Sequence, residues 1–501
     1  MSDSPLPIGI GADLAPAPAT ANDDQELSRL GYQQKLHRTM GPFTSFALAF
    51  SMVSINTGIV SLFADPFTRV GGIGILLWAL VIPLVGAIVA VYAHLAGRMP
   101  ITGYAYQWSS RLAGRHFGWF TGWVALISFI AGTAATSAAI GSVFAPEIWV
   151  EPTQFQVQAL SIAATLVVCM LNIFGIRITT RINDIGAVIE LVGTLALAVL
   201  LIAGLLFFFG QTQGPGVLIA MQPTSGKPIS LETLALATLL PVSVLLGWEG
   251  AADLAEETKD PRRTAPRAMF QAVLVSSVLG LLVFALLGMS IPGDIGAFLA
   301  DPENPVLHLV RVQLGHLAGS LMTAVAFVSI FACLIANMAV ATRMVYALSR
   351  DHMLPGSRVL EAVHPRRGTP DAAILLVTAI AVVLNFASGG FVTAIYSMVG
   401  LTYYLTYFLT LVAAIIAWRA GRIPAAPQGV FNLGRWLVPL ALIGGLWTLA
   451  VIATLSIPDE NRAAALTTIV ALVIGFVWWA VSLRGRLNSG VAGAPNSAGA
   501  Q

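Results

Sequence analysis

Twelve stretches of the chain are apolar on every face: 43–64, 73–96, 119–145, 154–176, 185–209, 232–253, 268–291, 317–342, 372–388, 391–418, 436–457 and 463–483. Most match the ~20 residues that a helix rising ~1.5 Å per residue needs to cross ~30 Å of hydrocarbon. Within lipid only helices or closed barrels satisfy the backbone. Barrel strands alternate apolar and polar positions, and these runs do not. The pattern predicts an all-α integral membrane protein with twelve transmembrane helices, here called spans 1 to 12. Ala372 to Trp418 carries no charge and is too long for one helix, so Ser388-Gly389-Gly390 is read as the turn that splits it. Residues 1–42 form a polar leader without the apolar core of a signal peptide. They are expected to be a disordered tail, as are the small residues of 486–501.

Composition strengthens this picture. Of 501 residues, 57% are apolar and 10% charged, whereas soluble domains carry roughly 25% charged residues. An ordinary cytosolic enzyme, a disordered chain and a basic-patch nucleic-acid binder are all excluded. Cys169 and Cys333 lie inside apolar runs, and the seven His residues show no metal-ligand spacing. Gly9 and Gly11 lack the strand and helix of a nucleotide loop. No catalytic group, metal or cofactor is expected.

The few charges are informative by position. With the N-terminus inside, the inner segments hold 22 of the 26 Lys and Arg, and the outer loops hold only Arg69, Lys227, Arg311 and Arg462. Cationic loops stay in the cytoplasm, so both termini are expected there, in a multi-pass protein of the cytoplasmic membrane. One missed or added helix would invert every later loop, so the bias also supports the count of twelve.

Transporters are often built from inverted repeats with matching broken helices at the substrate site. Five plus five helices pair span 1 with span 6. Span 1 carries Ser54-Ile55-Asn56-Thr57-Gly58, and span 6 carries Gly247-Trp248-Glu249-Gly250. Repeat one is about 43–209 and repeat two about 232–418, with 436–483 peripheral. Gly permits an unwound backbone, and Asn, Thr and Ser satisfy freed groups. The alternative is that these small residues only allow close helix packing. Three acids lie in or at the spans: Glu190, Glu249 and Asp253, the last read as interfacial along with Asp184. Intramembrane acids are costly and usually face a cavity. Glu190 and Glu249 are therefore the candidates for coupling, by taking up a proton or by facing a cationic amine. The positive end of an unwound half-helix suits a substrate carboxylate, and the carbonyl end suits an ammonium or a coupling cation.

These features resemble the amino acid–polyamine–organocation permease superfamily, and within it the amino acid/choline transporter branch, over roughly residues 40–485. The resemblance rests on the span 1 run 51–58, on Pro100, Gly103, Tyr104, Tyr106 and Trp108 between spans 2 and 3, on the stretch Gly247 to Ala268, and on 346–355 after span 8. It implies a five-plus-five fold of the leucine-transporter type and secondary active transport by alternating access. It also implies substrate held by spans 1 and 6 with spans 3, 8 and 10 completing the cavity. By position, Ser54 to Gly58 would meet the substrate carboxylate, and Gly247, Trp248 and Glu249 the amine side. Glu190 falls near the span 5 position where some proton-coupled relatives carry a Lys. An acid there is a departure that leaves the coupling scheme open. Trp248 would replace the aromatic lid that Ser243 to Leu246 does not supply.

Glu256, Glu257, Arg262, Arg263, Arg267, Arg350 and Asp351 are candidates for a cytoplasmic gate of ion pairs; otherwise the basic residues only enforce topology. The expected partners are the lipid bilayer, a small amino acid or amine, and a proton or sodium ion, with no nucleic acid. The sequence does not fix the oligomeric state. The substrate candidates are a neutral amino acid, γ-aminobutyrate, choline, ethanolamine or a polyamine. An acid at 249 favours an amine-bearing substrate. The readings from other classes are an ion channel, whose charge rings are not seen, and a nutrient sensor that does not transport.

Overall fold

A backbone crossing lipid has no water to bond and must satisfy itself within each segment. The computed structural model describes residues 19–301, 303–386 and 389–495, and among them only helices cross the molecule. Ten are long and apolar enough to span a membrane. Two shorter apolar helices, Leu231–Val244 and Asp371–Asn385, complete the expected twelve as spans 6 and 9. The others are span 1 (Pro42–Leu62), span 2 (Gly72–Ala96), span 3 (Arg115–Ile148), span 4 (Gln154–Phe174) and span 5 (Ile176–Phe208). Then follow span 7 (Pro261–Met289), span 8 (Pro305–Arg350), span 10 (Gly389–Arg419), span 11 (Gly434–Ser456) and span 12 (Asp459–Asn488). Five passes per repeat reverse the second repeat relative to the first. This is the five-plus-five inverted arrangement.

Span 8 begins earlier than its apolar run. Gly315 has φ 86° and ψ 171°, so Pro305 to Leu314 forms a separate helix that turns into the span proper. A residue with a Cβ would be strained at that backbone conformation. Of the expected turn after span 9, Ser388 lies outside the described residues, while Gly389 and Gly390 already belong to span 10.

Burial sorts the spans. The most apolar stretch of span 3 is 89% buried, against 28% for span 11 and 17% for span 12. Spans 11 and 12 are peripheral, and their exposed Leu, Ile and Val side chains face the lipid position. Spans 1, 3 and 8 form the centre, and the candidate chemistry lies on them and on the parts of spans 5, 6 and 10 that face them.

The tails depart from expectation. Ala19–Arg29 is a helix, and Leu27, Tyr32, Leu36 and Met40 are buried against the body. Backbone bonds from Thr39 and Met40 N–H to the Glu257 carbonyl, and from Lys259 N–H to the Met40 carbonyl, stitch this segment to the loop after span 6. At the other end, Leu487, Ala492 and Ala494 are also buried. A polar, Ala-rich composition suggested disorder, but a few apolar residues in each tail find cover on the protein.

Candidate substrate site

Span 1 breaks at Ser54, a non-glycine residue held at φ 37° and ψ 91° between Pro42–Val53 and Ile55–Leu62. Its hydroxyl caps the second half by accepting from Thr57 N–H at 3.4 Å. It also lies 2.6 Å from Thr57 Oγ1, 3.1 Å from Ser329 Oγ and 3.3 Å from Glu190 Oε1. Asn56 N–H donates to the same Glu190 oxygen at 3.3 Å. The acid of span 5 thus sits at the amino end of the second half-helix, where the dipole favours negative charge. Glu190 is fully buried, and its Oε2 has no hydrogen-bond partner among the described residues. Ser54, Thr57 and Gly58 line the cavity described below, whereas Ile55 and Asn56 do not. Asn56 turns its amide toward Thr194 on span 5, at 3.3 Å.

Span 6 stops at Val244 and resumes at Gly250. Gly247 has φ 86°, and a Cβ there would lie 2.8 Å from the Met52 Cβ. Only glycine lets the two broken helices approach this closely. The chain then turns Trp248 and Glu249 inward, both fully buried. Tyr407 Oη donates to Glu249 Oε2 at 2.8 Å, and Tyr104 Oη donates to Oε1 at 3.5 Å. Trp248 stacks on Tyr407 with centroids 5.2 Å apart and meets Tyr92 edge-on at 5.1 Å. In the expected site these residues face the substrate. In the structure Gly247, Trp248, Glu249 and Gly250 lie behind the cavity wall, and Ser243 and Leu246 line it instead. The reason is the left-handed turn at Gly247, which swings the following residues toward spans 2 and 10.

The cavity measures about 1070 Å³ and runs from the span 1 break to the face opposite the N-terminus. Its deep end is polar without being ionised: Ser54, Thr57, Thr136, Asn337 and Tyr403, with Cys333 beside them. Asn337 Nδ2 donates to the Cys333 carbonyl at 3.0 Å. Its charged lining residues, Glu147, Glu303 and Arg311, lie at the mouth, where Arg311 pairs with both acids. Thr136, Asn337 and Tyr403 were missed in the sequence. An Asn inside an apolar helix was the available signal.

The N-terminal face is closed. Glu257 pairs with Arg343 at 2.9 Å and Glu256 with Arg350 at 2.9 Å, and the four side chains are at most 8% exposed. The Glu256 carboxylate also accepts from Thr102 N–H at 3.2 Å, and Asp253 from Gly103 N–H at 2.8 Å. Asp253 is thus fully buried within the protein. Asp351 Oδ2 accepts from Tyr32 and Tyr106, each at 2.6 Å, and from Gln107 at 2.9 Å. The Arg350 guanidinium lies 3.7 Å from the Tyr32 ring centre. Burial, with the Asp351 charge second, pushes the Tyr32 phenol well above its ordinary range, so it remains a donor. Of the expected gate residues, Glu256, Glu257, Arg350 and Asp351 meet here. Arg262, Arg263 and Arg267 do not: the left-handed Asp260 starts span 7, which carries them outward. Arg262 pairs with Glu26, Arg263 lies 3.8 Å from Asp260, and Arg267 is exposed. Arg343, hidden at the end of an apolar run, was missed.

A model of the family described as "Amino acid permease" matches residues 40–479. The chain belongs to the amino acid permease family. Amino-acid permease BAT1 of Arabidopsis thaliana is 24% identical over 95% of this permease and 98% of its own length. Amino-acid permease 2 of Neurospora crassa is 23% identical, covering 92% and 88% of the two chains. A putative amino acid/polyamine transporter of Macrophomina phaseolina is 25% identical over 78% of this permease and 89% of its own length. These relatives are permeases, not enzymes, and the present permease is a multi-pass membrane protein of that kind.

Proposed function

We propose that this permease is a secondary active carrier of a neutral, zwitterionic amino acid across the cytoplasmic membrane, with both termini cytoplasmic, in an outward-open state. The observation that carries the reading is the deep end of the cavity. It offers hydroxyl, phenol and carboxamide groups beside an unwound helix, and its charged lining residues sit at the mouth. A zwitterion balances its own charge and needs no buried counter-ion, whereas a net cation needs an ionised partner or a cage of aromatic rings, and Tyr403 is the single Phe, Trp or Tyr among the described lining residues. Glu249, held by Tyr407 and Tyr104, is withdrawn from the lining. That placement argues against choline or a polyamine as the main cargo. Its role in this reading is to close the floor. The basic residues concentrated on the N-terminal face support the orientation.

Glu190 is the coupling residue in this reading. Its free oxygen and its place against the span 1 break let proton binding alter the substrate site directly. Uptake of a radiolabelled amino-acid and amine panel into proteoliposomes, with and without a pH gradient, tests both points. Neutral amino acids should accumulate under an inward proton gradient and compete with one another. Glu190→Gln should lose gradient-driven accumulation while keeping exchange. Uptake restricted to choline or polyamines would refute the substrate reading. Intact accumulation by Glu190→Gln would refute the coupling role.

A further inference from the structure

The carboxy-terminal segment ends on the closed face and touches the groups that close it. After the short helix Arg484–Asn488, the chain turns back so that Ala492 N–H donates to the Arg486 carbonyl. Gly493, at φ 95°, then donates its N–H to the Asp351 carbonyl at 2.9 Å. Asp351 is the residue whose side chain receives Tyr32, Tyr106 and Gln107. The Ala494 carbonyl accepts from Arg115 Nε at 3.2 Å, at the start of span 3. Asn488 Oδ1 lies 2.8 Å from His116 Nε2, and Arg486 donates to the His352 carbonyl at 2.8 Å. Pro495 lies so close to Gly31 that a Cβ on that glycine would sit 2.7 Å from the proline ring. Ala492 and Ala494 are 2% and 4% exposed. One short segment therefore bridges span 3, the end of span 8 and the segment 19–41 that precedes span 1.

The segment 19–41 before span 1 ties together the elements that would have to separate for this face to open. It is joined to the loop after span 6 by backbone bonds and to Asp351 by Tyr32. Separating the span 1 and span 6 elements from spans 3 and 8 must pull Tyr32 off Asp351 and Gly31 off Pro495. We propose that residues 489–495 form an autoinhibitory strap: docked on Asp351, Arg115 and Gly31, they hold the inner face shut and slow its opening. The proposal rests on the alternating-access reading above. A docked segment that bonds only the closed state shifts the equilibrium by its differential contacts. One backbone hydrogen bond lost from such a state corresponds to about fivefold in population.

Thr57→Cys, half-buried in the lining of the open cavity, serves as the reporter, in a background with Cys169 and Cys333 replaced by Ala. The probe is a membrane-impermeant methanethiosulfonate reagent applied from the N-terminal face. The full chain should label slowly. A chain ending at Asn488, and separately Gly493→Pro, which removes the N–H donated to Asp351, should label about fivefold faster as the minor inner-open state gains population. Tyr32→Phe, which loosens the latch itself, should quicken labelling as well. Faster labelling in Tyr32→Phe with unchanged labelling in both tail variants would overturn the strap while leaving the carrier reading intact. Unchanged labelling in all three would overturn the alternating-access reading and the strap with it.

Discussion

The two faces of the permease use the same chemistry at different depths. At the open mouth, Arg311 joins Glu147 and Glu303, and these side chains keep between 23% and 50% of their exposure. At the closed face, Arg343–Glu257 and Arg350–Glu256 keep at most 8%. Exposed pairs contribute about 0–1 kcal/mol and weaken with salt. Breaking a buried pair by removing one partner costs about 3–5 kcal/mol, because the remaining charge is stranded. Ion pairs therefore matter more at the N-terminal face than at the mouth. The closed N-terminal face adds a second layer, the Tyr32, Tyr106 and Gln107 donors gathered on Asp351.

Substitutions should separate these layers by size. The largest effect is expected from Arg343→Gln, which leaves Glu257 buried beside no cation. Destabilisation of the closed state by about 3–5 kcal/mol should appear as a lower thermal midpoint in detergent. The double variant with Glu257→Gln should recover much of the loss, and a double variant no better than the single would show that the pair is not the source. Tyr32→Phe should cost less, about 1.5 kcal/mol for one bond to a charged acceptor. Amino-acid counterflow should quicken while the thermal midpoint barely moves. Slower counterflow would mean that Tyr32 is needed for closure at the rate-limiting step. Glu147→Gln should be smallest, near 0.5 kcal/mol, with any change in uptake disappearing at high ionic strength. A salt-independent effect would place that pair in the transport machinery.

The same contrast explains what the sequence disclosed. Helix number and the two breaks are local properties, written in runs of ~20 residues and in glycine-bearing interruptions. Ser54 and Gly247 were legible because a broken helix needs those residue types at that point. The destinations of side chains were not local. Tyr32 meets Asp351 across 319 positions of chain, and nothing near either residue announces it. Glu190 was legible as an anomaly in span 5, but its position beneath the Ser54 break follows only from how spans 1 and 5 pack. Glu249 misled for a related reason. An acid beside a helix break was expected to face the cavity, yet the backbone turn at Gly247 rotates it into the phenols of Tyr407 and Tyr104. Glu256, Glu257 and Asp351 come together at the N-terminal face, whereas Arg262, Arg263 and Arg267 do not join them, because Asp260 redirects the chain between them.

The central claim is that the span 1 break is reached from one face while the inner latch holds. Thr57→Cys, in a chain with Cys169 and Cys333 replaced by Ala, places a thiol at that break in the cavity lining. Its reaction with an impermeant thiol reagent can be measured from each face of oriented vesicles. The account predicts reaction from the face opposite the N-terminus in the intact permease, and added reaction from the N-terminal face once Arg343→Gln strands Glu257. Ready reaction from the N-terminal face with the latch intact would contradict it.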